Sequence, residues 1–115
     1  MIVEELPLVR QRGSCCELDI AIEPGQASDA AALFKVLADP TRLGILATLR
    51  QSPDPVCICD FTAAYDLSQP TISHHMGKLK AAGLVESHKA GIWVYYRIAE
   101  RLPAAVGRLL EAALS

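Results

Sequence analysis

Residues 68–84 read Ser-Gln-Pro-Thr-Ile-Ser-His-His-Met-Gly-Lys-Leu-Lys-Ala-Ala-Gly-Leu, and a short basic strand pair follows at once. Ser68 is a good N-cap, and Pro70 falls in the first helical turn, where a missing N–H costs little. Ile72, Met76 and Leu79 recur at i, i+4 and i+7, an apolar stripe that can bury against a core. Off that stripe lie Gln69, Thr71, Ser73, His74, His75 and Lys78, hydrogen-bonding side chains crowded into the N-terminal half. Base edges and phosphates are read by donors and acceptors presented near a helix N-terminus, which itself favours phosphate. Gly83 ends the helix. The stretch predicts a DNA recognition helix, with Ser68, Gln69, Thr71, Ser73, His74, His75 and Lys78 as its contact residues.

Working outward, Asp66-Leu67 is a turn into that helix, and residues 56–65 predict a shorter helix before it. Its start is ambiguous, because Val-Cys-Ile-Cys is also strand-like. Asp39-Pro40-Thr41-Arg42 is a helix start that runs to Gln51, followed by the loop Ser52-Pro53-Asp54-Pro55. Residues 27–38 are Ala-rich and helical, with Leu33, Val36 and Leu37 available for packing. After Gly83, residues 84–88 and 92–98 form β-branched and aromatic runs around Lys89-Ala90-Gly91. That pattern predicts a hairpin with a three-residue loop and Lys89 at its tip, placed to touch DNA beside the helix. Residues 101–114 return to helix, with Leu102, Val106, Leu109, Leu110 and Ala113 on one broad face. The order is that of a mainly α winged helix-turn-helix spanning 27–115, preceded by an arm, residues 1–26, punctuated by Pro7, Gly13, Pro24 and Gly25. The first and last helices carry more apolar surface than so small a core needs. They predict a dimer whose two-fold axis matches a palindromic operator.

At 115 residues the chain is one small domain, and no run of uncharged apolar residues is long enough for a transmembrane helix. Glu4 and Glu5 stand where a secretory signal would be basic, so a cytoplasmic address is expected. The net charge of −2 is unevenly distributed. Residues 68–97 hold four bases (Lys78, Lys80, Lys89, Arg97) against Glu86, a net +3, whereas residues 1–39 hold seven acids and three bases, a net −4. A basic face on an acidic body fits local phosphate contacts and salt-sensitive binding.

The four cysteines fall in two close pairs, Cys15-Cys16 and Cys57-Ile58-Cys59. In a cytoplasmic chain such pairs are unlike structural disulfides. Clustered thiolates select soft or thiophilic ions: arsenite, antimonite, Cd(II), Pb(II), Hg(II) or Zn(II). Buried cysteines that simply pack, and thiols that serve as a redox switch, are the competing readings. Catalysis is disfavoured, since neither a C-x-x-C motif nor a Gly-rich phosphate loop is present. His74 and His75 diverge by about 100° around a helix and do not make a metal pair; His88, on the wing, is expected to face solvent.

Over residues 27–98 the chain resembles the ArsR/SmtB family of metal-sensing repressors. The resemblance rests on Leu33-Phe34-Lys35-Val36-Leu37-Ala38-Asp39-Pro40-Thr41-Arg42-Leu43, on Val56-Cys57-Ile58-Cys59-Asp60, and on Leu67-Ser68-Gln69-Pro70-Thr71-Ile72-Ser73-His74-His75. Pro55 and Phe61, beside the cysteine box, depart from the residues usual in the family. The resemblance implies a homodimer that represses from an operator and releases DNA when a metal or metalloid binds. Relatives that sense cadmium bring cysteines to the same box from an N-terminal arm, and some arsenic repressors carry vicinal cysteines in an N-terminal extension. Cys15, Cys16, Cys57 and Cys59 are therefore the expected ligands, three for pyramidal arsenite or antimonite, or all four for Cd(II) or Pb(II). The inter-subunit site of the zinc sensors looks absent: the C-terminal segment has no histidine, and its acids are Glu100 and Glu111.

Overall fold

The computed structural model describes residues 18–114, so Cys15 and Cys16 lie outside the described residues with most of the predicted arm. Helix α1 spans Pro24–Leu37, α2 Pro40–Gln51, α3 Ile58–Tyr65, α4 Gln69–Ala81 and α5 Ala104–Leu114, with strands β1 Val56–Cys57, β2 Val85–Ala90 and β3 Trp93–Ile98. Three helices begin with proline in their first turn, a position with no intrahelical N–H bond to lose. At α1 this moves the start to Pro24, ahead of the predicted residue 27. Pro24-Gly25, read as arm punctuation, is instead the helix's first turn, and the Gln26 side chain accepts a hydrogen bond from the Glu23 amide at 3.4 Å. At the other end α5 starts later than the predicted residue 101. Pro103 disfavours helical backbone at Leu102, and the first intrahelical bond runs from the Gly107 amide to the Pro103 carbonyl at 3.0 Å.

The strand-like and helical readings of residues 56–59 both hold, in succession. Val56 and Cys57 pair antiparallel with Tyr96 and Tyr95, giving a three-stranded sheet of order β1-β3-β2. Cys57 then caps α3. The hairpin differs from its expected form. Ala90 pairs with Trp93, so the connection is the two-residue turn Gly91-Ile92, with Gly91 at φ +64. Only the first of the two central residues has positive φ, the arrangement of a type II′ turn, whose twist suits a two-residue hairpin. Lys89 therefore sits within β2 opposite Val94, and Ile92 takes the tip.

Ile45, Leu46, Ile72, Met76, Leu79, Leu84 and Leu110 are essentially inaccessible to solvent and join α2, α4, the α4–β2 link and α5 in one core. Burying such a side chain is worth about 1.5–3 kcal/mol. With three of them on one stripe, α4 cannot rotate without exposing its anchors, so its opposite face is fixed. The helix ends in a Schellman motif: Gly83 adopts φ +76, its amide donates to the Lys80 carbonyl at 3.0 Å, and the Leu84 amide donates to the Leu79 carbonyl at 3.0 Å. Arg50 ties α2 to α5, donating to the Leu110 carbonyl at 3.2 Å and pairing with Glu111.

Candidate nucleic-acid interface and thiol site

The approach to α4 is set by Asp66, which ends α3 in the left-handed region at φ 52, its amide and that of Leu67 both donating to the Thr62 carbonyl. A short polar side chain tolerates that backbone better than most. Leu67 packs against the core and Ser68 caps α4, its Oγ accepting from the Thr71 amide at 3.3 Å and lying 2.9 Å from Thr71 Oγ1. Gln69, Thr71, Ser73, His74 and Lys78 are all exposed. Thr71, His74 and Lys78 share one face at i, i+3 and i+7, with Gln69 and Ser73 beside them. Lys78 also borders a groove shared with Asp29, Leu33 and Val36 of α1.

His75 is placed otherwise. Its side chain is only 14% exposed, and its Nδ1 accepts a hydrogen bond from Arg42 Nε at 3.1 Å. Asp39 Oδ2, 3.8 Å away, is too far to share that bond. The reach of Arg42 from α2 turns the ring inward and gives His75, expected as a DNA contact, an internal tie. Arg42 also donates to the Val36 carbonyl at 3.3 Å, and its own amide caps onto Asp39 at 2.9 Å. The end of α1, the start of α2 and the middle of α4 thus meet at one guanidinium. That amide bond is the leading cause holding the Asp39 carboxyl below its ordinary value, opposed by desolvation and helped by the neighbouring His75 and Arg42. In the sequence Asp-Pro-Thr-Arg signalled only a helix start. The long-range partner of Arg42 has no local signature.

Of the four bases between residues 68 and 97, Arg97 is matched by Glu86 at 2.8 Å, with Glu100 at 3.8 Å. Lys80 Nζ donates to Ser87 Oγ at 2.7 Å, bracing α4 against β2. Lys78 and Lys89 are exposed and available to phosphate. His88 stacks on Tyr95, ring centroids 5.4 Å apart, on the exposed wing surface.

The second candidate site lies at the other end of α3. Cys57 is buried, 5% exposed, and its Sγ accepts from the Cys59 amide at 3.4 Å as the helix N-cap. Cys59 is exposed, and its thiol donates to Cys57 Sγ. That hydrogen bond, with desolvation and the neighbouring Cys57 and Asp60, raises the Cys59 thiol above its ordinary pKa. The two sulfurs converge on one side of a helix start. Among the described residues no group of three or more His, Cys, Asp or Glu side chains could hold a metal ion. No described helix is long and apolar enough to cross a membrane.

Residues 39–87 match the model of the bacterial regulatory protein, arsR family. Over 81 residues the chain is 43% identical to the arsenical resistance operon repressor of Escherichia coli K12, covering 70% of this chain and 68% of that protein. It is 46% identical over 65 residues to the cadmium resistance transcriptional regulatory protein CadC of Listeria innocua, 56% of this chain and 54% of that one. In three dimensions it is similar to the homodimeric winged helix-turn-helix DNA-binding domain Mb0332 of Mycobacterium bovis. The TM-score is 0.65 at 29% identity, over 84% of this chain and 85% of that one.

Proposed function

The chain belongs to the ArsR family of bacterial regulatory proteins, a transcriptional regulator and not an enzyme, and from that membership we propose a homodimeric repressor released from its operator when arsenite or antimonite binds cysteine thiolates. The observation that carries this reading is the convergence of the Cys57 and Cys59 sulfurs at the start of α3. Each must lose its proton to bind a soft ion, so ligation by the pair releases two protons and forms two metal–sulfur bonds. Cys15 and Cys16 are proposed to complete the shell from the same subunit or its partner. Three thiolates suit pyramidal arsenite or antimonite. All four would suit Cd(II) or Pb(II), the second reading, favoured by the similarity to a cadmium resistance regulator.

The DNA contacts proposed are Ser68, Gln69, Thr71, Ser73, His74 and Lys78 on α4 and Lys89 on the wing. His75 acts from behind them through Arg42. Half-exposed Phe34 on α1 and the apolar face of α5 supply the dimer surface, as the homodimeric neighbour suggests. Helix α3 is only eight residues long and leads through Asp66 and Leu67 into α4, a short route from thiols to recognition helix. Inducer must favour a conformer whose paired recognition helices no longer match the operator spacing. A coupling of about 1–3 kcal/mol weakens DNA binding roughly 5- to 150-fold.

Fluorescence anisotropy of the reduced protein on its own promoter DNA tests this, with arsenite, antimonite, Cd(II), Pb(II) and Zn(II) added in turn. Release at the lowest concentration by arsenite or antimonite is expected, whereas release chiefly by Cd(II) or Pb(II) favours the second reading. Release by oxidant alone would make the thiols a redox switch. Cys57→Ser keeps a competent N-cap, so the variant is expected to bind operator and ignore inducer. A metal-free variant that no longer binds DNA would remove Cys57 from the inducer site.

A further inference from the structure

The outermost point of the wing is apolar. Ile92 is 86% exposed and Trp93 is 49% exposed, adjacent residues at the far end of a hairpin whose base is buried. At the second position of a two-residue turn, this isoleucine is left without packing by the described residues. The turn itself needs only Gly91 at positive φ, so its geometry does not explain the choice. The strand carrying this tip is braced to α4 by the Lys80–Ser87 hydrogen bond, and exposed Lys89 stands three residues before Ile92. The apolar tip is thus rigidly continuous with the proposed DNA face and flanked by a cation that seeks phosphate.

We infer that Ile92 is an apolar wedge that enters the minor groove next to the α4 site, with Trp93 buried against the sugar edge behind it. The inference rests on the DNA-binding reading and adds how the wing engages: Lys89 meets the backbone while Ile92 presses against a base step. Side chains of this class partially unstack a step and bend the duplex towards the major groove, which favours easily deformed pyrimidine–purine steps. The wing therefore selects DNA by deformability, at positions α4 does not touch.

Trp93 is the only tryptophan in the chain, so its emission reports on the wing alone. The test titrates promoter DNA into the wild type, Ile92→Ser, Ile92→Lys and Lys78→Ala, following anisotropy across a salt series and acrylamide quenching of Trp93. Ile92 is too exposed for Ile92→Ser to disturb folding. That variant is expected to lose roughly ten-fold in affinity with no change in the salt dependence, since it removes apolar burial and no phosphate contact. Ile92→Lys is expected to steepen the salt slope by about 1, and Lys78→Ala to flatten it by about 1. In the wild-type complex Trp93 becomes shielded from acrylamide, and in the Ile92→Ser complex less so. Unchanged affinity in Ile92→Ser, or a Trp93 as quenchable bound as free, overturns the wedge while Lys78→Ala still reports DNA binding. A wild type that shows no salt-dependent affinity for DNA overturns the DNA-binding reading, and the wedge with it.

Discussion

At the scale of single residues α4 is held by groups that bond one another behind its proposed DNA face. Asp39 accepts the Arg42 amide, and Arg42 in turn bonds His75 and the Val36 carbonyl. Asp39→Ala removes an N-cap and is expected to cost about 1 kcal/mol at neutral pH. The pH dependence follows from the lowered carboxyl pKa. The folded state binds its proton more weakly than the unfolded chain, so the charge-dependent part of this stabilisation is complete above the ordinary value of 3.8 and disappears as pH falls through the lower folded value. Thermal melts of wild type and Asp39→Ala between pH 6 and pH 2 should converge at the acid end, and parallel curves would show that the charge contributes nothing. His75 separates positioning from contact. In His75→Gln the carboxamide oxygen can still accept from Arg42, whereas His75→Phe leaves a part-buried guanidinium N–H unpaired, at about 1–3 kcal/mol. Operator affinity is expected to survive in the glutamine variant and fall in the phenylalanine variant, with the same salt slope in both. Equal losses in the two would return His75 to the DNA surface.

At the scale of elements, α2 and α3 meet where Gly44 faces Tyr65. A Cβ at Gly44 would strike the Tyr65 hydroxyl, whose ring lies against Phe61 at a 6.5 Å centroid separation. Gly44→Ala alone is expected to destabilise by about 1–2 kcal/mol through overpacking. With Tyr65→Phe the hydroxyl is gone and a ring carbon stands 3.2 Å from the added Cβ, so the alanine's cost should shrink to well below its value beside tyrosine. Chemical denaturation of the four-member cycle measures this. Additive effects would mean the two residues do not meet. This contact also marks where sequence stops informing: Gly44 reads only as a weak spot in a helix until its partner is known. What was legible was local. The 72/76/79 stripe, the caps at Asp39 and Ser68 and the glycine at 83 each announce themselves within one or two turns, and α2 and α4 follow from them. Elements fixed by pairing were harder. The β1 strand exists because β3 lies beside it, and the hairpin turn is two residues because Ala90 meets Trp93, a register that composition does not encode.

At the scale of the whole molecule, the proposed release requires the thiol pair and the recognition helix, at opposite ends of an eight-residue helix, to exchange free energy. The thiol pair was legible because C-x-C spacing is rare, and the recognition face because polar residues crowd one helix half. Neither signal says that Cys57 is buried and Cys59 exposed, which is decided by β1 drawing Cys57 into the sheet. That asymmetry has a mechanical consequence. An ion that takes both sulfurs must either reach into the core edge or draw Cys57 out, and Cys57 is the residue that caps α3. Ligation at this pair, as proposed, would act on the start of a helix whose other end sets the entry of α4. Such coupling is reciprocal: if inducer weakens operator affinity by some factor, operator must weaken inducer affinity by the same factor. Arsenite affinity measured by competition with a chromophoric thiol ligand, with and without saturating promoter DNA, should differ by the factor that anisotropy reports for release. A roughly 30-fold release would correspond to about 2 kcal/mol, within the range one conformational equilibrium supplies. Inducer that bound free and DNA-bound protein equally, yet still displaced DNA, could not be acting through a shared equilibrium. The path from Cys57 through α3 would then fail as the account of release.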